Sequence, residues 1–531
     1  PKTQSFFLQI KLKVYFCVIK NKNNFFKEMK KYFLLFLFSI LLLSCSKGGK
    51  VTINGKVTNG SPLERLEIID ASGIATLPLA NFGVDAKGNF SETIEIPRDG
   101  VYVITYAGNT GFLYLKGGDQ VNLDFEAMLF PQGMKITGDA KGNTEYLMES
   151  QQFINQYMSK LDQSVISKKE EDFLKELEKY KGDITKKMDE IAKVKKPDSD
   201  VEKFNKRELD VTLLMISSQY ESMHGPATND PKYKAGAKLL DFQKSLENES
   251  YVEDMPNYRN YVISKLSAGF QKFFEGQKNA APTSNVQMFS KFLDTQKDVS
   301  DKTKEYLLAA VAAQYDLREP ANPKLQEVFK FLDTKIKNSA IKSELKNLEE
   351  AIYGIEQGTD VSGLSLVKQD GSKITLADLK GKPTALVFYA SWNPYITEST
   401  LPVLKEMVKF YGSKMNFAFI NLDDTQDQFV KTSKAMFTGI QGNNYYATGG
   451  MKSDVAKKFA VFGFRMPSFI IIDKDGKISS KTYLNIADPA LVDALNKASG
   501  LQAPTGIPQT PEMMAPPTEH SANDGHGHSK R

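Results

Sequence analysis

Thiols and imidazoles carry most nucleophilic, redox and metal chemistry in proteins, and this sequence is nearly without them. Its two cysteines are Cys17 and Cys45, and no thiol occurs from Ser46 to Arg531. That long remainder can hold no disulfide framework, no Cys-ligated zinc and no cysteine nucleophile. The four histidines are His224 and a terminal trio, His520, His526 and His528. His526-Gly-His528 after Asp524 has imidazoles that suit a transition metal, but a flexible His-bearing chain end is the expected reading. His224, without a His neighbour, is expected to be structural. Asp473-Lys-Asp475-Gly476 looks calcium-like yet lacks the rest of an EF-hand loop and its closing Glu, so a hairpin turn is expected there. There is no Gly-rich phosphate loop, no HExxH and no Gly-X-Ser-X-Gly elbow. No metal and no cofactor are expected, and carboxylates are too numerous to rank as acid–base pairs.

The chain has 531 residues, which at roughly 100–200 residues per domain suggests about three domains. Hydrophobic residues make up 41% and charged residues 25%, which excludes a mostly disordered chain or a multi-spanning membrane protein. The net charge of +5 is local: residues 1–44 hold eight of the 69 basic residues and one of the 64 acidic ones, leaving 61 against 63 elsewhere. A nucleic-acid partner therefore has no support.

From Met29 the sequence reads as an address. Lys30-Lys31 precede the apolar run Tyr32–Leu43, which ends Leu42-Leu43-Ser44-Cys45. The run is shorter than the ~20 residues a bilayer-spanning helix needs, and its order is that of a cleaved signal. The ending resembles the lipobox of bacterial lipoproteins, which implies acylation of Cys45, a membrane anchor through lipid, and residence in the cell envelope, on the outer membrane facing the periplasm. Residues 29–44 are then signal peptide, and residues 1–28, with Cys17, are expected to be upstream sequence.

Downstream, texture changes twice. Residues 45–140 carry short alternating runs cut by glycine, such as Val51–Gly55, Leu66–Ile69, Phe90–Ile94 and Val101–Tyr106, which predicts an antiparallel β-sandwich. Ile53-Asn-Gly55-Lys-Val57, Gly88-Asn89-Phe90 and Leu115–Val121 resemble the small β-domain at the N-terminus of many Bacteroidetes thioredoxin-like lipoproteins. Residues 141–357 are rich in Lys and Glu with helical apolar spacing, as at Phe173, Leu174, Leu177 and Tyr180. A second stripe, Leu240, Phe242, Leu246 and Tyr251, is less regular. About eight helices are expected, bounded near Pro256, Pro282, Pro320 and Pro323. Residues 358–500 read as α/β: a hairpin over 364–376, strands at 384–390, 417–422 and 468–473, and helices at 397–411, 425–437 and 452–459. Residues 501–531 are rich in Pro, Gly, Ser and Thr and read as a disordered tail.

The run Lys382–Trp392, a helix bearing Pro402, and Gly463-Phe-Arg-Met466-Pro467-Ser-Phe-Ile-Ile-Ile-Asp473 together resemble the thioredoxin fold. The subgroup they resemble is the tethered thiol:disulfide reductases related to TlpA and ResA. There, Trp is followed by Cys-X-X-Cys at a helix N-terminus, where dipole and free N–H groups favour the thiolate. Here Trp392 is followed by Asn393, Pro394, Tyr395 and Ile396, with Asn393 and Ile396 at the cysteine positions. Neither side chain can form or resolve a mixed disulfide, so no catalytic residue is assigned. Met466-Pro467 matches the family's cis-proline, beside which substrate peptides pair by β-augmentation. The resemblance therefore implies that Trp392, Pro394, Tyr395, Met466 and Pro467 line a peptide-docking groove.

The expected architecture is thus a β-sandwich, an all-α middle and a C-terminal thioredoxin-like domain. The expected role is a redox-inactive envelope lipoprotein that binds or scaffolds envelope proteins or peptides. Two alternatives stand beside it. One is a thiol-disulfide oxidoreductase, as the family implies and the missing thiols oppose; the other is a small-ligand sensor built on the first two domains.

Overall fold

The computed structural model describes residues 48–503, apart from 76, 160–162, 278–283 and 318–323. Cys17, Cys45, the signal segment, Pro282, Pro320, Pro323 and the tail with His520, His526 and His528 lie outside the described residues.

Eight strands form the first unit: β1 (Gly49–Thr58), β2 (Leu66–Asp70), β3 (Pro78–Phe82), β4 (Asn89–Ile96), β5 (Gly100–Tyr106), β6 (Asn109–Leu115), β7 (Gln120–Glu126) and β8 (Lys135–Gly138). They make two sheets, β4-β1-β7-β8 and β3-β2-β5-β6. Strict alternation in β4 and β7 sends Phe90, Ile94, Val121, Leu123 and Phe125 into the space between them. The sandwich is not wholly antiparallel, because β1 and β7 run parallel, with Ile53 opposite Val121. The chain between them travels through the other sheet, and so long a connection is free of the hairpin's reversal. Gly55 permits this pairing: a Cβ there would sit 1.9 Å from the Leu123 carbonyl oxygen.

Nine α-helices follow among the described residues: α1 (Lys141–Met158), α2 (Glu170–Lys195), α3 (Ser199–Thr228), α4 (Ala237–Leu246), α5 (Pro256–Glu275), α6 (Asn285–Leu293), α7 (Asp301–Val311), α8 (Leu325–Lys335) and α9 (Ser339–Tyr353). On α2, Phe173, Leu177, Tyr180, Ile184, Met188 and Ile191 recur every three or four residues and are all buried, as a one-faced helix requires. Phe173 stacks on Tyr220 of α3 at 3.8 Å. The Leu240 stripe breaks: Leu240 is 47% exposed, Leu239 is buried in its place, and Tyr251 sits in a separate short turn.

The sandwich is clasped to these helices through residues 70–75. Arg259 of α5, 3% exposed, donates to the carbonyls of Val252, Glu253, Ser72 and Gly73 at 2.7–3.3 Å. Glu344 of α9 accepts from the Ile74 N–H at 2.6 Å and pairs with Arg98 at 3.1 Å. Arg98 also pairs with Asp70 at 3.0 Å.

The third unit is a six-stranded sheet, β10-β9-β13-β12-β11-β14, built from β9 (Ser365–Lys368), β10 (Lys373–Thr375), β11 (Thr384–Tyr389), β12 (Asn416–Asn421), β13 (Asn443–Tyr446) and β14 (Ser468–Ile472). β11 is buried at every position and lies between parallel β12 and antiparallel β14. Helices α10 (Leu401–Tyr411), α11 (Gln426–Met436), α12 (Asp454–Lys458) and α13 (Pro489–Ser499) complete it. This is the thioredoxin-like arrangement. The calcium-like Asp473 is a turn residue whose Oδ1 accepts from the N–H of Asp475 and of Lys477, each at 2.9 Å.

Replacing Arg259 with Met would take the donor from four carbonyls, two of which, those of Val252 and Ser72, sit in buried bonds. At about 1–3 kcal/mol for each unsatisfied buried group, the two buried carbonyls set a fall in stability of at least ~2 kcal/mol. Chemical denaturation of the variant beside the parent chain measures this.

Candidate functional site

β11 delivers the chain into the turn Ala390–Ile396, at the C-terminal edge of the sheet where α/β folds place their sites. Asn393 ties this turn together. Its N–H donates to the Ala390 carbonyl at 3.1 Å, its Oδ1 accepts from the Tyr395 N–H at 3.0 Å, and its Nδ2 donates to the Met466 carbonyl at 3.0 Å. Asn is a strong cap for free N–H groups at a helix start. A five-residue π-turn, Ile396–Thr400, leads into α10. Ile396 is fully buried in the core beside β11. Ile396 thus belongs to the core, and Asn393 caps the turn.

The Met466–Pro467 peptide is cis. Of the five residues expected to line a groove, Trp392, Met466 and Pro467 are buried, while Pro394 and Tyr395 are exposed, Tyr395 by 55%. The five do not form one open groove. Two causes act: the Met466 carbonyl already accepts from Asn393, and the β-sandwich covers Trp392.

The cover is Arg65, which follows the loop between β1 and β2. Its guanidinium lies 4.3 Å from the Trp392 ring centroid. It meets Asp424 with both terminal nitrogens, at 2.5 and 2.9 Å. Asn81 of β3 fixes it from behind, accepting from Nε at 2.8 Å and, through its carbonyl, from Nη2 at 3.1 Å. Gly463 makes room for Asn81: a Cβ there would come within 2.5 Å of its Nδ2. A second tie joins Lys452, just before α12, to Glu92 of β4 at 2.5 Å. Glu92 points inward and is 3% exposed. Burial raises its carboxyl above the usual value, more than Lys452 lowers it.

Two further groups support the turn from inside. Asp423 is fully buried, and its carboxylate accepts from the Ser391 N–H, the Ser391 hydroxyl, Asn421 Nδ2 and Thr432 Oγ1 at 2.7–3.3 Å. So fully bonded a carboxylate holds Ser391 and the start of the turn in place. Arg465, preceding Met466, donates to the Ile352 carbonyl at 3.1 Å and ties α9 to the cis-proline loop. Burial pushes its guanidinium down to about 10. No group of three or more His, Cys, Asp or Glu able to hold a metal ion exists among the described residues. Arg65, Asp424, Asp423 and the Glu92–Lys452 pair escaped the sequence reading. A capping signal at Asn393 was present in its residue type alone.

Trp392 is the chain's one tryptophan, so its emission reports the cover directly. Arg65→Ala removes a cation–π contact and a bidentate ion pair, each worth roughly 1–2 kcal/mol in such a half-dry setting. Acrylamide quenching of Trp392 should rise at least twofold, with a red-shifted spectrum. Glu92 gives a signed pH effect. Its folded value lies above the ordinary 4.5, so the folded chain favours the neutral acid and the charged form costs stability at neutral pH. This contribution should improve as pH falls through the raised value toward 4.5. Glu92→Gln should match or exceed the parent's thermal stability at pH 7 and lose that part of the pH dependence.

The redoxin family matches residues 347–495. A thiol:disulfide interchange protein TxlA homologue from Synechocystis is 35% identical over 95 residues, which is 17% of this chain and 51% of that protein. The chain thus spans about half the length of that relative. Among solved structures, the C-terminal domain of a candidate thiol-disulfide oxidoreductase from Bacteroides thetaiotaomicron is 27% identical, covering 27% of this chain and 98% of that one, with a TM-score of 0.24. A candidate thiol-disulfide oxidoreductase from Bacteroides vulgatus is 24% identical, covering 27% of this chain and 90% of that one, also with a TM-score of 0.24. The C-terminal unit has a thioredoxin-like fold, and over residues 347–495 it is similar to the redoxin family and to a thiol:disulfide interchange protein.

Proposed function

We propose that this protein is a lipid-anchored envelope lipoprotein whose thioredoxin-like domain does no thiol chemistry and serves binding and scaffolding of envelope proteins or peptides. The observation that carries the reading is the fate of the two redox positions. Asn393 caps the turn and occupies the Met466 carbonyl, and Ile396 is sealed in the core. A disulfide exchange needs a thiolate to attack and a second thiol to resolve, and the chain offers neither after Cys45. The lipid anchor rests on the order of charge, apolar run and Leu42-Leu43-Ser44-Cys45 in the sequence. Among the described residues no helix is long and apolar enough to cross a membrane.

In this reading the thioredoxin-like domain retains its docking face but spends it internally, on the β-sandwich held by Arg65. The scaffold is then a fixed three-part body, and partners meet it elsewhere than the buried Trp392–Met466–Pro467 surface. A ligand-binding role for the first two units is the second reading, favoured by a wide cleft between them.

Insulin reduction with dithiothreitol-free protein tests the redox claim. The parent chain should give a rate indistinguishable from buffer, and genuine turnover would overturn the reading. Asn393→Cys with Ile396→Cys should create a disulfide reducible by dithiothreitol, detected by thiol labelling before and after reduction. Full labelling of the unfolded double variant before reduction, which shows both thiols free, would contradict the placement of the turn.

A further inference from the structure

A lipid on Cys45 would fix more than an address, because so little chain separates that residue from the fold. Ser46, Lys47 and Gly48 are all that stand between Cys45 and the start of β1 at Gly49. Four residue steps reach at most ~14 Å when fully extended. The end of the molecule at Gly49 is therefore the end that an acylated Cys45 holds at a bilayer.

Three pieces of the fold meet at that end. The turn between β6 and β7 packs on the entering chain: Gly118 donates to the Lys50 carbonyl at 2.8 Å, and a Cβ on Gly117 would sit 2.0 Å from the Gly48 carbonyl oxygen. Lys116, at the head of this turn, pairs with Asp198 and Asp200 at 3.1 and 3.2 Å. Both acids lie at the elbow between α2 and α3. Asn143 of α1 holds the same elbow, donating to the Asp198 carboxylate at 3.1 Å and accepting from its N–H at 2.8 Å. A short run of contacts thus joins the entry of the chain to the last turn of α2.

That turn and its cap read Lys193-Val194-Lys195-Lys196. Val194 is 74% exposed, and Lys193 and Lys196 are exposed on either side of it. Lys195 is matched with Glu145 and Glu149, and Lys141 with Glu145. Lys193 and Lys196 enter no ion pair among the described residues. A single exposed valine is ordinary on a free surface. This one stands beside the point where the chain enters, between two uncommitted ammonium groups on apolar stems. Such side chains suit a headgroup region, where the stem lies in apolar surroundings and the charge reaches phosphate.

We propose that the α2–α3 elbow, together with the Lys116–Asp119 turn, is the face this protein seats on its membrane. Val194 enters the headgroup region, and Lys193 and Lys196 reach lipid phosphates. The inference rests on the acylation of Cys45 given above and adds to it an orientation. The ten residues of β1, at ~3.3 Å each, place Thr58 about 30 Å from the Gly49 end. Glu126 lies opposite Thr58, so Met128, 85% exposed in the turn after β7, marks the far end of the sandwich.

The full chain, expressed in bacteria with its signal segment and carrying either Val194→Cys or Met128→Cys, tests this. Acylation of Cys45 leaves the introduced thiol as the one reactive site, since no other follows it. That thiol is labelled with the fluorophore NBD, and the protein is reconstituted in vesicles of phosphatidylethanolamine and phosphatidylglycerol doped with a spin-labelled lipid. The lipid should quench NBD at position 194 about twofold more strongly than at position 128, as shallow seating of the elbow requires. Lys193→Glu with Lys196→Glu should remove most of that excess while the protein still floats with the vesicles and Trp392 emission stays unchanged. Equal quenching at the two positions, stronger quenching at 128, or an excess that survives the charge reversal would each overturn the proposal. An N-terminal peptide whose mass shows no acyl chain on Cys45 is a different failure: the anchor reading falls, and this proposal with it.

Discussion

The guanidinium of Arg65, held between the Trp392 ring and the Asp424 carboxylate, is the contact on which the arrangement of the three units turns. A planar cation can stack on an aromatic face and grip a carboxylate along its edge at once, which an ammonium cannot. Arg65 uses both, with Asn81 accepting from Nε and from Nη2. At its other end the sandwich is gripped by Arg259 and Glu344 of the helical unit. The β-domain is therefore a bracket, fixed at one end to helices and at the other to the mouth of the thioredoxin-like domain. The turn at Trp392 holds no thiol and lies under the cover, so it offers neither that nucleophile nor open access.

Asn393 shows how a helix start at the edge of a sheet is closed without a charged group. The N-terminus of a helix offers unpaired N–H groups and a positive dipole end that would stabilise a thiolate. An Asn amide answers the same N–H groups by hydrogen bonding, and its second half reaches the carbonyl before the cis-proline. The electrostatic demand of the site remains, and a neutral cap now satisfies it. Ile396, three residues on, is fully buried and packs its branched apolar side chain into the core beside β11.

The thioredoxin-like unit was legible in the sequence because its signals are local. β11 is an unbroken apolar run, and Met466-Pro467 has a single cheap route to its geometry. The helical unit was legible in class, since Phe173, Leu177 and Tyr180 recur at helical spacing. Leu240 misled because two adjacent leucines offered one stripe, and packing chose Leu239. The parallel β1–β7 pair was not legible, since alternation fixes which face is buried but says nothing of direction. Pro78 and the brevity of β8 hid two edge strands for the reason that edges tolerate proline and short lengths. Arg65 and Asp424 lie 359 positions apart. No periodicity links such partners, and a lone arginine in a loop has no distinguishing neighbours. For that reason the cover over Trp392, which decides what the site can do, was the least visible feature of all.

The parallel pairing also has a mechanical consequence. β1 is an interior strand, hydrogen-bonded to β4 along one edge and to β7 along the other. A pull applied at Gly49 acts along the strand axis, so the ladders on both sides share the load in shear. An edge hairpin would instead open one bond at a time from its end. Any tether at the N-terminus therefore strains the sandwich in its stiffest direction, and the domain should yield there later than the short edge strands β3 and β8 would.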